Sequence, residues 1–170
     1  MRLTWAVLGA AALAAYAVLG AFLMNDWAVV AASGLLLDAT VAAMEAAGQP
    51  YSSVAGVLFA VMGLLLAAAW AWATVSPRLG LPAWGSLVAW SGIVACGAPA
   101  FFFGSFGNLN SVGDTFADWN MAEAWAVEAP LYIASAVAFV LGVGTLVTAA
   151  VRSVRGGRVP RPAAALPVLH

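Results

Sequence analysis

Four stretches of the chain, 3–24, 54–75, 83–103 and 130–151, contain no charged side chain. Each is about 20 residues long, the length an α-helix needs to cross ~30 Å of hydrocarbon. In that medium a lone segment satisfies its backbone hydrogen bonds only as a helix. The predicted fold class is therefore an all-α integral membrane protein, with four transmembrane helices in a bundle. Composition points the same way: 65% of the residues are hydrophobic and 8% are charged, where soluble domains run near a quarter charged.

A fifth stretch, 27–47, is also long and apolar but carries Asp38 near its middle and Glu45 near its end. Five transmembrane helices would bury Asp38 at mid-bilayer, at about 2.5–3.5 kcal/mol on insertion scales. That path would also separate the N-terminus from the Arg-rich tail. Four spans leave 25–53 and 105–129 as outer segments instead. With the N-terminus in the cytoplasm, Arg2, Arg78, Arg152, Arg155, Arg158 and Arg161 are then all cytoplasmic, as the positive-inside rule requires. Asp26, Asp38, Glu45, Asp114, Asp118, Glu123 and Glu128 all fall outside or at the outer boundary. Four spans are the preferred reading and five the alternative.

The tryptophans fit this path, since indole favours the headgroup level. Trp5, Trp70, Trp72 and Trp84 fall near cytoplasmic ends, Trp27, Trp119 and Trp125 fall outside, and Trp90 alone lies within a span. The reading is of one transmembrane domain over 1–151 in the plasma membrane, both termini cytoplasmic. A flexible basic tail over 152–170 follows, its arginines attracted to anionic headgroups.

The residue inventory disfavours most chemistry. The chain has one cysteine, Cys96, one histidine, His170, and no lysine. A disulfide within the chain, a zinc site of the HExxH kind and Schiff-base catalysis are thereby excluded. Six scattered arginines form no basic stripe for nucleic acid. No cofactor is implied. Within the spans the polar side chains include Thr4, Tyr16, Ser86, Ser91, Cys96, Tyr132, Ser135, Thr145 and Thr148, and no residue there is charged, which speaks against an ion-coupled transporter with a midplane site. Pro99 is expected to kink the third span, and Cys96 to be a small buried packing residue.

Chemistry can therefore concentrate only in the outer segments. In 25–53, Asp38 and Glu45 lie two turns apart on one helical face, with Leu35, Leu36, Val41 and Met44 over much of the rest. This predicts a short outer-face helix, ended by Gly48-Gln49-Pro50. In 105–129, Gly107, Gly113, Asn108 and Asn110 favour turns, Asp114 could cap a short helix, and Pro130 suits the first turn of the last span. Three uses are open to the carboxylates: a solvated acidic cap, a hard-cation site, or proton transfer. The metal candidates are Asp114, Asp118, Glu123 and Glu128, with Asp38, because hard cations take oxygen donors. Glu128, nearest the last span, is the leading proton-transfer candidate, followed by Asp38.

Small residues recur along the spans, as in Gly9-Ala10-Ala11-Ala12 and Ala67-Ala68-Ala69, and offer faces for close helix contact. The expected role is thus non-catalytic: an accessory, assembly or interaction subunit, whose partners are the lipid bilayer and other membrane subunits or further copies of the chain. The alternative is a small channel, transporter or cation-binding membrane protein using the acidic outer face. An enzyme is disfavoured.

Overall fold

Helix formation follows the uncharged runs but goes well beyond three of them. The computed structural model describes residues 2–156. Its elements are α1 (Arg2–Phe22), a single π-helical turn (Leu23–Trp27), α2 (Ala28–Ser33), α3 (Leu37–Ala46), α4 (Val54–Val75), α5 (Ala83–Thr115) and α6 (Met121–Gly156). No strand occurs among the described residues. Four helices are long and apolar enough to cross a membrane: Arg2–Ser33, Val54–Val75, Ala83–Thr115 and Met121–Arg155. At ten residues, α3 is too short to be a fifth.

The lengths are unequal, and this shapes the molecule. At 1.5 Å per residue, α4 spans roughly 33 Å, close to the hydrocarbon thickness, whereas α5 and α6 span roughly 50 Å each. The surplus lies at one end. There α2, α3, the last turns of α5 and the first turns of α6 build an end cap with its own apolar core: Ala28, Val29, Ala32, Met44, Val112 and Ala124. The short helix expected within 25–53 is α3, closed by Gly48, whose φ of 72° lies in the left-handed region that glycine enters without steric cost. Thr40 and Met44 are its buried face, and Asp38 and Glu45 are exposed.

Three features depart from the sequence reading. Residues 105–115, expected to turn, continue α5 as helix, because Ser105, Asn108, Ser111 and Val112 form one buried face at three- to four-residue spacing. Tertiary burial along that face outweighs the helix-breaking tendency of Gly107 and Gly113. Likewise α6 starts at Met121, so Pro130 lies inside the helix, not in its first turn. Pro99 lies inside α5, which is helical on both sides of it. At the far end α6 runs on to Gly156, making Arg152 and Arg155 helical, while residues 157–170, with Arg158 and Arg161, lie outside the described residues.

Among the described residues, the charges sort completely between the two ends. The helices alternate in direction, so Arg2, Arg78, Arg152 and Arg155 gather at one end and every carboxylate gathers at the capped end. Between them lie two apolar clusters, one around Leu13, Ala67, Trp70, Val94 and Ala138, the other around Leu23, Met24, Phe101 and Leu131. Trp70 is thus a core residue, not an interfacial anchor, whereas Trp5, Trp72 and Trp84 are exposed. Cys96 is exposed too, contrary to the expected buried packing role.

Tyr16 of α1 crosses the bundle to α6, where its hydroxyl shares a 2.7 Å hydrogen bond with Ser135. It passes directly over Gly97 of α5, where a Cβ would collide with the phenol. A Gly97→Leu variant should therefore lose about 1–3 kcal/mol of stability through overpacking. Gly92 has open space around it, and Gly92→Leu should melt like the parent in detergent; equal melting temperatures for the two variants would contradict this packing.

Candidate functional site

The π-helical turn marks where the bundle meets the cap. Its widened ring bonds the Ala28 N–H to Leu23 O, which turns the next carbonyls toward other partners, a property that places such turns at functional sites. The Asn108 side chain donates to Met24 O at 3.2 Å and to Ser52 O at 3.0 Å, and accepts from the Ser52 N–H at 3.0 Å. Tyr51 donates its phenol to Asn25 O at 2.6 Å, and Asn25 donates its own amide to Ser53 O at 3.1 Å. Two buried or half-buried side chains thus fasten α5 and the linker before α4 onto backbone carbonyls of this turn.

Glu128 lies close to this junction. Along α6 the buried positions are Ala124, Glu128, Leu131, Ser135, Ala138 and Gly142, one seam facing the bundle. Glu128 is 2% exposed, between Ala124 of the cap core and Leu131 of the bundle core. Ser105 of α5 lies against its carboxyl. One carboxyl oxygen, Oε1, has no hydrogen-bond partner, and the same holds for the Tyr132 hydroxyl one turn further along. The Tyr132 ring is stacked on Trp125 and edge-on to Phe101. No arginine among the described residues is at this end. A buried carboxylate normally requires a paired charge or several hydrogen bonds, and Glu128 is the buried member of the acidic candidates, with Oε1 unpartnered.

The remaining candidates are dispersed over the cap surface. Asp114, in the last turn of α5, Asp118, in the following turn, Glu123, in the first turn of α6, and Asp38 of α3 are all exposed. Among the described residues no three His, Cys, Asp or Glu side chains gather closely enough to hold a metal ion. Glu123 has a local role instead: its N–H donates a 3.2 Å hydrogen bond to Asn120 Oδ1, so Asn120 is the N-cap of α6. An Asn followed three residues later by Glu is a helix-start signature, and it marks the α6 boundary in the sequence. The Asn120 N–H also donates to Ala32 O at 2.7 Å, tying this cap to the end of α2. Asn108 carried no comparable signal, because its partners are main-chain groups far away in the chain.

No family model, curated protein or solved structure matches the chain.

Tyr51 gives the junction a pH limit. Burial, and then the negative charge of Asp26, push its phenol above the ordinary value of 10.0. The folded junction therefore disfavours the tyrosinate, and the associated stability is complete below pH 10 and lost as pH rises through the raised value. The melting temperature should fall above about pH 10, and Tyr51→Phe should flatten that fall while removing the bond to Asn25 O. An unchanged alkaline profile in the variant would assign the loss elsewhere.

Proposed function

We propose that the protein is a multi-pass plasma-membrane protein with its N-terminus and tail in the cytoplasm, acting as a non-catalytic accessory or assembly subunit. The observation that carries this reading is the groove between α4 and α5. It has a volume of about 490 Å³. The small residues Gly92, Cys96, Gly97 and Ala100 line its α5 side, with Phe59 and Met62 on the α4 side. Small residues admit the close approach of another transmembrane helix. On α4 itself only Gly56, Ala67 and Trp70 are buried, so most of that helix is free for a neighbour.

Orientation and role are tested separately. In a Cys96→Ala background, Ala39→Cys on α3 should react with an impermeant maleimide on intact cells, and Ser153→Cys only after permeabilisation. Labelling of both from one side would sink the four-span path. For the subunit role, Cys96 should crosslink within native membranes to a discrete species, either a second copy or another membrane protein. Gly92→Leu should abolish that adduct without lowering the melting temperature, since only the groove is filled. A monomer that gives no adduct would refute the reading.

Glu128 supports a second reading, a small transporter or channel that moves protons or cations through the acidic end. It rests on the buried carboxyl with an unpartnered oxygen. Purified protein in vesicles would then pass protons under an imposed gradient, and Glu128→Gln, nearly isosteric, would abolish the flux while retaining the fold. Absence of flux in the parent, or equal flux in the variant, excludes it.

A further inference from the structure

At the Arg end the helices are held apart by indoles. Gly9 of α1 has no Cβ, and one built there would collide with the far edge of the Trp70 ring, so the indole reaches the α1 backbone at this point. The Trp70 Nε1–H donates to Ser86 O at 2.8 Å, joining α4 to the first turns of α5. The Trp90 Nε1–H donates to Gly9 O at 3.0 Å, joining α5 back to α1. Rings as large as these space three helices and leave a partly enclosed cavity of about 480 Å³, with Trp5, Leu8, Leu87, Trp70 and Trp90 among its walls.

The inward polar groups of the walls are already engaged. The Trp70 and Trp90 N–H groups are bonded to backbone, the hydroxyls of Thr74 and Ser86 share a 2.6 Å bond with each other, and the third indole, Trp5, is exposed. The cavity is thus apolar in chemistry and suited to a hydrocarbon chain rather than to a polar solute. One charged residue, Arg2, also lines it, and Arg2 is exposed. Its guanidinium offers a bidentate partner for phosphate.

We propose that this cavity is a lipid site, holding one acyl chain of an anionic phospholipid whose phosphate pairs with Arg2. The hydrocarbon chain supplies affinity and the arginine supplies selection among headgroups. This inference requires only that the helices cross a bilayer and is independent of the subunit role proposed above.

Native mass spectrometry of the full chain in detergent, with dioleoyl-phosphatidylglycerol and dioleoyl-phosphatidylcholine added in equal amounts, tests it. The anionic lipid should be retained about five-fold over the zwitterionic one, the selectivity of a single arginine near the membrane surface. Arg2→Gln should remove that preference while keeping phosphatidylcholine binding. Leu87→Trp, which fills the cavity, should reduce retention of both lipids; Ala83→Trp replaces it where Leu87→Trp does not melt like the parent. Equal retention of the two lipids by the parent overturns the proposal, as do a preference that survives Arg2→Gln and retention by the filled variant matching the parent.

Discussion

The carboxamide of Asn108 is the interaction on which the capped end depends. Three hydrogen bonds connect it to Met24 O and to the backbone of Ser52, and it is 5% exposed. Buried main-chain groups left without partners cost about 1–3 kcal/mol each. The π-helical turn presents such a group at Met24 O and the linker before α4 presents part-buried ones at Ser52, and a single side chain engages them together. Because Asn108 is on α5, the same contact fixes how far α5 must extend as helix, and so where the cap begins. The helix through Gly107 and Gly113 is a consequence of this anchoring and of the apolar core around Val112.

Length explains the rest of the architecture. α4 matches the hydrocarbon thickness and carries no charge, whereas α1 with α2, α5 and α6 overrun it on the same side. An overrun of one helix would be an exposed rod; three overruns with α3 laid across them make a second apolar core. The carboxylates belong to this protruding part and the described arginines to the opposite end, so burial of charge in lipid is avoided throughout. Glu128 is the exception in kind, a carboxyl on the seam where the two cores meet.

Much of this was legible in the sequence because lipid imposes a simple rule on composition. The uncharged runs located the helices, and α4 coincides with the run 54–75. The surface helix of the first outer segment followed from the spacing of Asp38 and Glu45 and from Gly48. Residues 105–129 were less legible, since their helicity comes from long-range contacts that local propensity does not encode. The same holds for the carboxylates: sequence proximity of Asp114, Asp118, Glu123 and Glu128 suggested one cluster, but the turn at 116–120 and the rotation of α6 turn Glu128 inward and the others outward. Trp70 and Cys96 exchanged their expected places for a related reason. A hydrophobic pattern in a lipid-facing helix does not say which face meets protein, because both environments are apolar.

The two ends of the bundle are fastened by different means, with different consequences. At the capped end, short amide and phenol side chains reach backbone directly, and the elements close over one another around buried cores. At the Arg end, two indoles do the fastening, and an indole cannot join helices without also spacing them. The cavity beside Trp70 and Trp90 is thus inherent to the way α1, α4 and α5 are joined. Removing it would require giving up the hydrogen bonds to Ser86 O and Gly9 O that hold the helices together. In a bilayer an apolar cavity of this kind is a place where a lipid chain and protein can meet without the loss of a polar contact.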